Sequence, residues 1–148
     1  MMASQNPMDV LRELAEKKLN DTTTRLGSAR QSHLNETARL DQLKTYAQEY
    51  REQMQSTIVD RGVSIMALQA HQHFLTSLDG VVAQQVRRVS ASQYTVDNVQ
   101  EAWRKDKQRL NAFEALKNRA DAQRLLKENR LEQKMMDEFA RRASQRNK

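Results

Sequence analysis

The stretch STIVDRGVS, residues 56–64, decides the fold. It packs β-branched residues, an Asp and Gly62 between two long segments of helix formers. Gly supplies a positive φ at little cost, and Ser is a favoured first cap of a helix. The stretch therefore reads as the turn of a helical hairpin, with Ser64 capping the second helix.

Working back from the turn, residues 9–58 hold one Gly, Gly27, and no Pro. Leu26, His33, Leu40, Ala47 and Met54 recur every seven residues. Ala29, Glu36, Leu43, Tyr50 and Thr57 occupy the companion position. Two such columns are the seam of a coiled coil, here with polar intrusions at His33 and Glu36. Leu11, Ala15 and Leu19 are read as out of this phase, which predicts a stutter. Pro7, followed by Met8 and Asp9, marks the helix start.

Working forward, Leu68, Leu75, Val82, Val89, Val96, Trp103 and Leu110 form an apolar column seven steps long. His71, Leu78, Gln85, Ser92, Val99, Asp106 and Phe113 accompany it. The expected fold is all-α: a long antiparallel two-helix coiled-coil hairpin with the second helix overhanging the first. Residues 1–8 are expected as a flexible N-terminus and 143–148 as a basic tail. Between them, 9–142 form a single hairpin, with helix one at 9–57, the turn at 58–63 and helix two at 64–142. A turn centred near 60–61 pairs residues whose numbers sum to about 121, setting Leu11 against Leu110 and Leu43 against Leu78. Roughly 30 residues, about 45 Å of helix, then project past the partner. A solitary helix of that length is marginal in water, so it is expected to be held by something else.

Composition agrees with this reading. The chain has 148 residues, one Pro, three Gly and no Cys; 30% are charged, seven are aromatic, and the mean hydropathy is -0.90. That is too little apolar material for a many-layered core and suits long helices. Absence of Cys excludes disulfides and thiolate metal sites. No apolar run is long enough to span a membrane, and MMASQNPMDV lacks the features of a secretory signal, so a cytoplasmic protein is expected. The net charge of +6 arises wholly in residues 101–148, which hold 14 Lys and Arg against 8 Asp and Glu.

No catalytic constellation, phosphate loop or cofactor motif is found. His71 and His73 are two apart, so on a helix they face different sides and do not share a metal. The expected protein is not an enzyme and has no cofactor or metal site. Three features suit binding instead. Leu43, Tyr46 and Tyr50 lie in one layer with Phe74 and Leu78; Tyr46 and Phe74 fall outside the seam. In AWRKDKQRLNAF, residues 102–113, Trp103, Leu110 and Phe113 pack on helix one beside a basic solvated face. The overhang carries Leu125, Leu126, Leu131, Met135, Met136 and Phe139, more apolar side chains than a solitary exposed helix should hold.

ENRLEQKMMDEFARRASQR at 128–146, AWRKDKQRL at 102–110, LAEKK at 14–18 and EYR at 49–51 carry a resemblance over nearly the whole length. The chain resembles the FliJ family of bacterial flagellar type III export proteins. Residues 56–70 match less closely, with a small insertion near the turn. The resemblance implies an antiparallel two-helix coiled coil similar to the central stalk of rotary ATPases. It implies three partners: the pore of the hexameric export ATPase FliI, the export gate protein FlhA, and chaperones of late export substrates. It implies a location at the cytoplasmic face of the inner membrane at the flagellar base, with membrane contact only indirect. The gate-contact surface it implies falls on Leu43, Tyr46, Tyr50, Phe74 and Leu78, with changed residue types at Val81 and Gln85. The overhang and the matched motif together point to Arg130, Lys134, Met136, Phe139, Arg141 and Arg142 as the ATPase contact. The alternatives are a basic nucleic-acid-binding coiled coil, which the interleaved Glu128, Glu132, Asp137 and Glu138 disfavour, and a purely structural dimerising coiled coil.

Overall fold

The computed structural model describes residues 6–147. Helix α1 spans Pro7–Arg61 and helix α2 spans Ile65–Arg146. They pack against each other as an antiparallel all-α hairpin. Asn6 caps α1: its side-chain oxygen accepts from the Met8 N–H at 3.1 Å and its carbonyl from the Asp9 N–H at 2.9 Å. Pro7 then takes the first helical position, where a missing N–H costs nothing. Of the expected N-terminal segment, residues 1–5 lie outside the described residues, while Pro7 and Met8 are helical. Of the expected tail, 143–146 belong to α2 and residue 148 lies outside the described residues.

The turn is shorter and later than 58–63, because Ile58 to Arg61 continue α1. Gly62 adopts a φ of 68°, and its N–H donates to the Ile58 carbonyl at 3.1 Å, closing the helix. The Ser64 hydroxyl accepts from the Ala67 N–H at 3.1 Å and caps α2. Ending one helix with a left-handed Gly and opening the next with Ser satisfies backbone groups that each helix end leaves open.

No stutter interrupts α1. Non-exposed positions run at alternating spacings of four and three from Ala15 through Leu19, Thr22 and Leu26 to Thr57. Ala15 and Leu19 lie a whole number of heptads from Ala29 and Leu26, so they share the phase of the seam. Leu11 is the residue that does not, and it is 45% exposed. The polar Thr22, buried in the seam, hides the continuity from a reading that tracks apolar residues alone.

The chain divides into two compact units, Asp21–Arg104 and Met1–Asn20 with Lys105–Lys148. In Asp21–Arg104, Leu26, Val96 and Val99 are buried together, with Ala29 and Trp103 packed against them. The Trp103 Nε1–H donates to the Thr23 hydroxyl at 2.9 Å, and His33 Nδ1 bonds the Ser92 hydroxyl at 2.7 Å. These partners, like the turn centred on Val63, correspond to a pairing sum near 125. The expected sum of about 121 fits Gln85 with Glu36 and His71 with Tyr50 but falls about one helical turn short of these pairs, because it places the turn too early. In the second unit the buried residue in the layer of Leu110 is accordingly Ala15, while Leu11 faces outward. There Lys18 lies 3.7 Å from the buried Asp106, and Lys117 lies 3.7 Å from Asp9.

Candidate functional site

Two surfaces collect the candidate residues, one in each unit. The first lies in Asp21–Arg104. Tyr50, half-buried at a seam position, places its ring 4.7 Å from Phe74 and 5.1 Å from His71, centroid to centroid. The Phe74 ring is tilted by 52°, an arrangement that suits the charge distribution of aromatic rings. The Tyr50 hydroxyl is 3.1 Å from His71 Nδ1, so its polar end has a partner while its ring packs. Leu78 is buried at 7% exposure and Leu43 is half-buried. Tyr46 is 50% exposed and Phe74 40% exposed. The five residues thus divide in two: Leu43, Tyr50 and Leu78 are buried or half-buried, whereas Tyr46 and Phe74 are exposed.

The edge of this surface is sharp. Val81 is exposed, whereas Gln85 is only 4% exposed. The Gln85 Nε2–H donates to the Glu36 carbonyl at 2.9 Å and to the Glu36 carboxylate at 2.6 Å. Gln85 is therefore a seam residue that satisfies Glu36 across the hairpin. Arg51 and Asp79 form an ion pair across the two helices nearby. Sequence reasoning missed that pair, since neither residue lies on the seam. The exposed positions beside the seam are where such pairs form, and that is the signal that would have found it.

The second surface is the end of α2. Every described residue from 122 to 147 is exposed, including Leu125, Met135, Met136 and Phe139, the last at 75%. The helix is supported there only by itself, through i,i+3 and i,i+4 pairs such as Arg124 with Asp121 and Arg142 with Glu138. At about 100° per residue, Arg130, Lys134 and Arg141 project from one side. Met136 and Phe139 project from the opposite side, and Arg142 lies between. The six candidate residues thus ring the helix and share no single face.

Among the described residues no group of three or more His, Cys, Asp or Glu side chains is placed to hold a metal ion, and no helix is long and apolar enough to cross a membrane.

The comparisons with known proteins agree with one another. The family model of the flagellar FliJ protein matches residues 4–148. The flagellar FliJ protein of Salmonella typhi is 36% identical over 147 residues, covering 98% of both chains. That of Escherichia coli strain K12 is 34% identical over 145 residues, again covering 98% of both. With a match along essentially its entire length, and with the helical hairpin that its heptads specify, this chain belongs to the flagellar FliJ protein family.

Proposed function

We propose that this chain is a non-enzymatic component of the bacterial flagellar type III export apparatus, required for flagellum assembly and motility. The exposed end of α2 enters the central pore of the hexameric export ATPase FliI and promotes its assembly and activity. Arg130, Lys134, Met136, Phe139, Arg141 and Arg142 make that contact. The surface of Leu43, Tyr46, Tyr50, Phe74 and Leu78 meets the export gate protein FlhA, with Tyr46 and Phe74 as anchors. The chain also helps recycle chaperones of late export substrates. It works at the cytoplasmic face of the inner membrane, at the flagellar base, and reaches the membrane only through the gate.

One observation carries this reading: the bare end of α2 has its apolar and basic contact residues on opposite sides. A groove buries one face of a helix and leaves the other in water. A socket that closes around the helix engages both. Basic residues on one side then meet acidic walls, and Met136 and Phe139 on the other meet apolar ones. No catalytic group is needed, since shape and charge are sufficient to favour one state of a ring.

The test is the ATP hydrolysis rate of the cognate ATPase with increasing amounts of full-length chain, of a 1–121 truncation and of Phe74→Ala. Full-length chain and Phe74→Ala are expected to stimulate equally, and the truncation not at all. Equal stimulation by the truncation would move the ATPase contact off the overhang. Phe74→Ala is in turn expected to weaken binding to the gate's cytoplasmic domain by about 1–2 kcal/mol, as loss of an aromatic anchor does. Unchanged gate affinity would remove the aromatic surface from the reading.

A further inference from the structure

The exposed apolar residues of the overhang do not continue the internal seam. Carried past Lys117, the seam phase falls on Ala120, Arg124, Lys127, Leu131, Lys134, Glu138 and Arg141, which are charged at all but two positions. A second heptad phase begins beside it. Ala122, Leu125, Met136, Phe139 and Ala143 follow the four-and-three spacing of a coiled-coil face, with Asn129 and Glu132 at its middle. At 3.6 residues per turn this stripe lies roughly 130° around α2 from the internal seam. It faces away from the helix that α1 supplies, and all of it is exposed. Such a stripe is built for a partner outside the hairpin.

The stripe is complementary to itself when run antiparallel. Pairing about a centre between residues 130 and 131 sets Ala122 against Phe139 of the second copy, small against large. Leu125 meets Met136, and the polar Asn129 meets Glu132 at the centre. In a coiled coil a polar layer of this kind lowers stability and fixes the register. The same alignment brings Asp121, on the flank of the stripe, beside Arg142 of the second copy, and the two-fold axis makes this pair twice. In the isolated chain those two residues make local surface pairs, Asp121 with Arg124 at 3.1 Å and Arg142 with Glu138 at 3.3 Å. Such pairs are exchanged at little cost. Lys127, Lys134 and Arg141 project from the back, so the concentrated positive charge does not oppose the contact.

We infer that the exposed end of α2 is the interface of an antiparallel homodimer, in which a second copy of this chain covers the stripe of Ala122, Leu125, Met136 and Phe139. The inference does not rest on the ATPase reading. A second copy and an ATPase pore cannot cover the same helix at once, so the dimer is a form in which the overhang is withheld from the ring. The two copies place no constraint on the aromatic surface, which lies in the other unit.

Sedimentation equilibrium of the full chain, without ATPase, tests this through a charge exchange. The wild-type chain is expected to show a monomer–dimer equilibrium as concentration rises. Asp121→Arg alone sets Arg against Arg142 twice per dimer, and Arg142→Asp alone sets Asp against Asp121 twice. Each is expected to weaken dimerisation by about ten-fold. An equimolar mixture of the two variants re-creates both pairs and is expected to recover the wild-type affinity. Phe139→Glu, 75% exposed in the single chain, should abolish the dimer while leaving the urea midpoint of the dilute single chain unchanged. A wild-type chain that stays monomeric at every soluble concentration overturns the inference. So does a dimer that the single reversals leave unchanged, or a mixture no tighter than its two components. Because no ATPase is present, none of these outcomes depends on whether the overhang enters a ring.

Discussion

Gln85 and Glu36 illustrate how this chain uses polar residues in a thin core. Glu36 sits half-buried on the seam of α1, and Gln85 crosses from α2 to bond both its carbonyl and its carboxylate. A hydrogen bond to a charged group contributes about 1.5–3 kcal/mol net, and a partner left behind in the core costs more than the bond itself was worth. Gln85→Leu is therefore expected to lower stability by roughly 1–2 kcal/mol in urea unfolding followed by circular dichroism. Glu36→Leu combined with Gln85→Leu is expected to recover that loss or exceed it, since an apolar layer replaces a polar one. If the double variant is no more stable than the single, the cost comes from packing and the polar pair is not the cause. The heptad count identified Glu36 as an intrusion and Gln85 as a seam position. It did not say that one satisfies the other, because that depends on cross-helix register.

At the scale of the element, both ends of the turn carry measurable energy. Ser64→Ala removes the acceptor of the Ala67 N–H and is expected to cost about 1 kcal/mol. Gly62→Ala forces a side chain into a φ of 68° and is expected to cost a similar amount through backbone strain, since open space surrounds that position. Urea midpoints of the two variants check both values; a neutral Gly62→Ala would mean that the turn relaxes to another conformation. The free end of α2 is expected to behave in the opposite way. Residues 122–147 are all exposed in the isolated hairpin. Truncation after residue 121 should leave the unfolding midpoint unchanged when measured at low concentration. Amide hydrogen exchange should be fast from 122 to 146 and slow around Leu26, Val96 and Val99. Protection of 122–146 in dilute single chains would contradict this account of a helix without support. The two helices, the Gly–Ser turn and the overhang were legible in sequence, because caps and heptads are local and periodic. The pairing was misjudged by a turn because hairpin register depends on where the loop closes, and Ile58 to Arg61 gave no local sign of remaining helical.

At the scale of the whole molecule, charge separates the two surfaces. The unit Asp21–Arg104 holds nine Lys and Arg and nine Asp and Glu, so it is neutral. The entire +6 falls in the other unit, with the bare end of α2. Exposed charges farther apart than about 10 Å are screened in 0.1 M salt. A contact made by the basic end is therefore expected to weaken several-fold between low and moderate salt, with a slower on-rate. A contact made by Tyr46 and Phe74, beside the balanced Arg51–Asp79 pair, is expected to change little. Affinity measured against salt for the ATPase and for the gate domain separately checks this contrast. Equal salt slopes for both would mean that the basic end takes part in both contacts.

The sequence by itself determined an all-helical hairpin, its turn chemistry, the seam columns of α2 and an end of α2 without a partner in the chain. Each of these comes from local propensity or from a period that needs no knowledge of what lies across the helix. Motif similarity added the family, and with it the expected roles of the two candidate surfaces. It took the tertiary structure to settle which seam residues meet, that α1 keeps one phase back through Leu19 and Ala15, and that Gln85 bonds Glu36 across the hairpin. It also decided that Tyr50 ties Phe74 and His71 together. These depend on the distance between two helices and on their relative register, quantities that no single stretch of either helix contains.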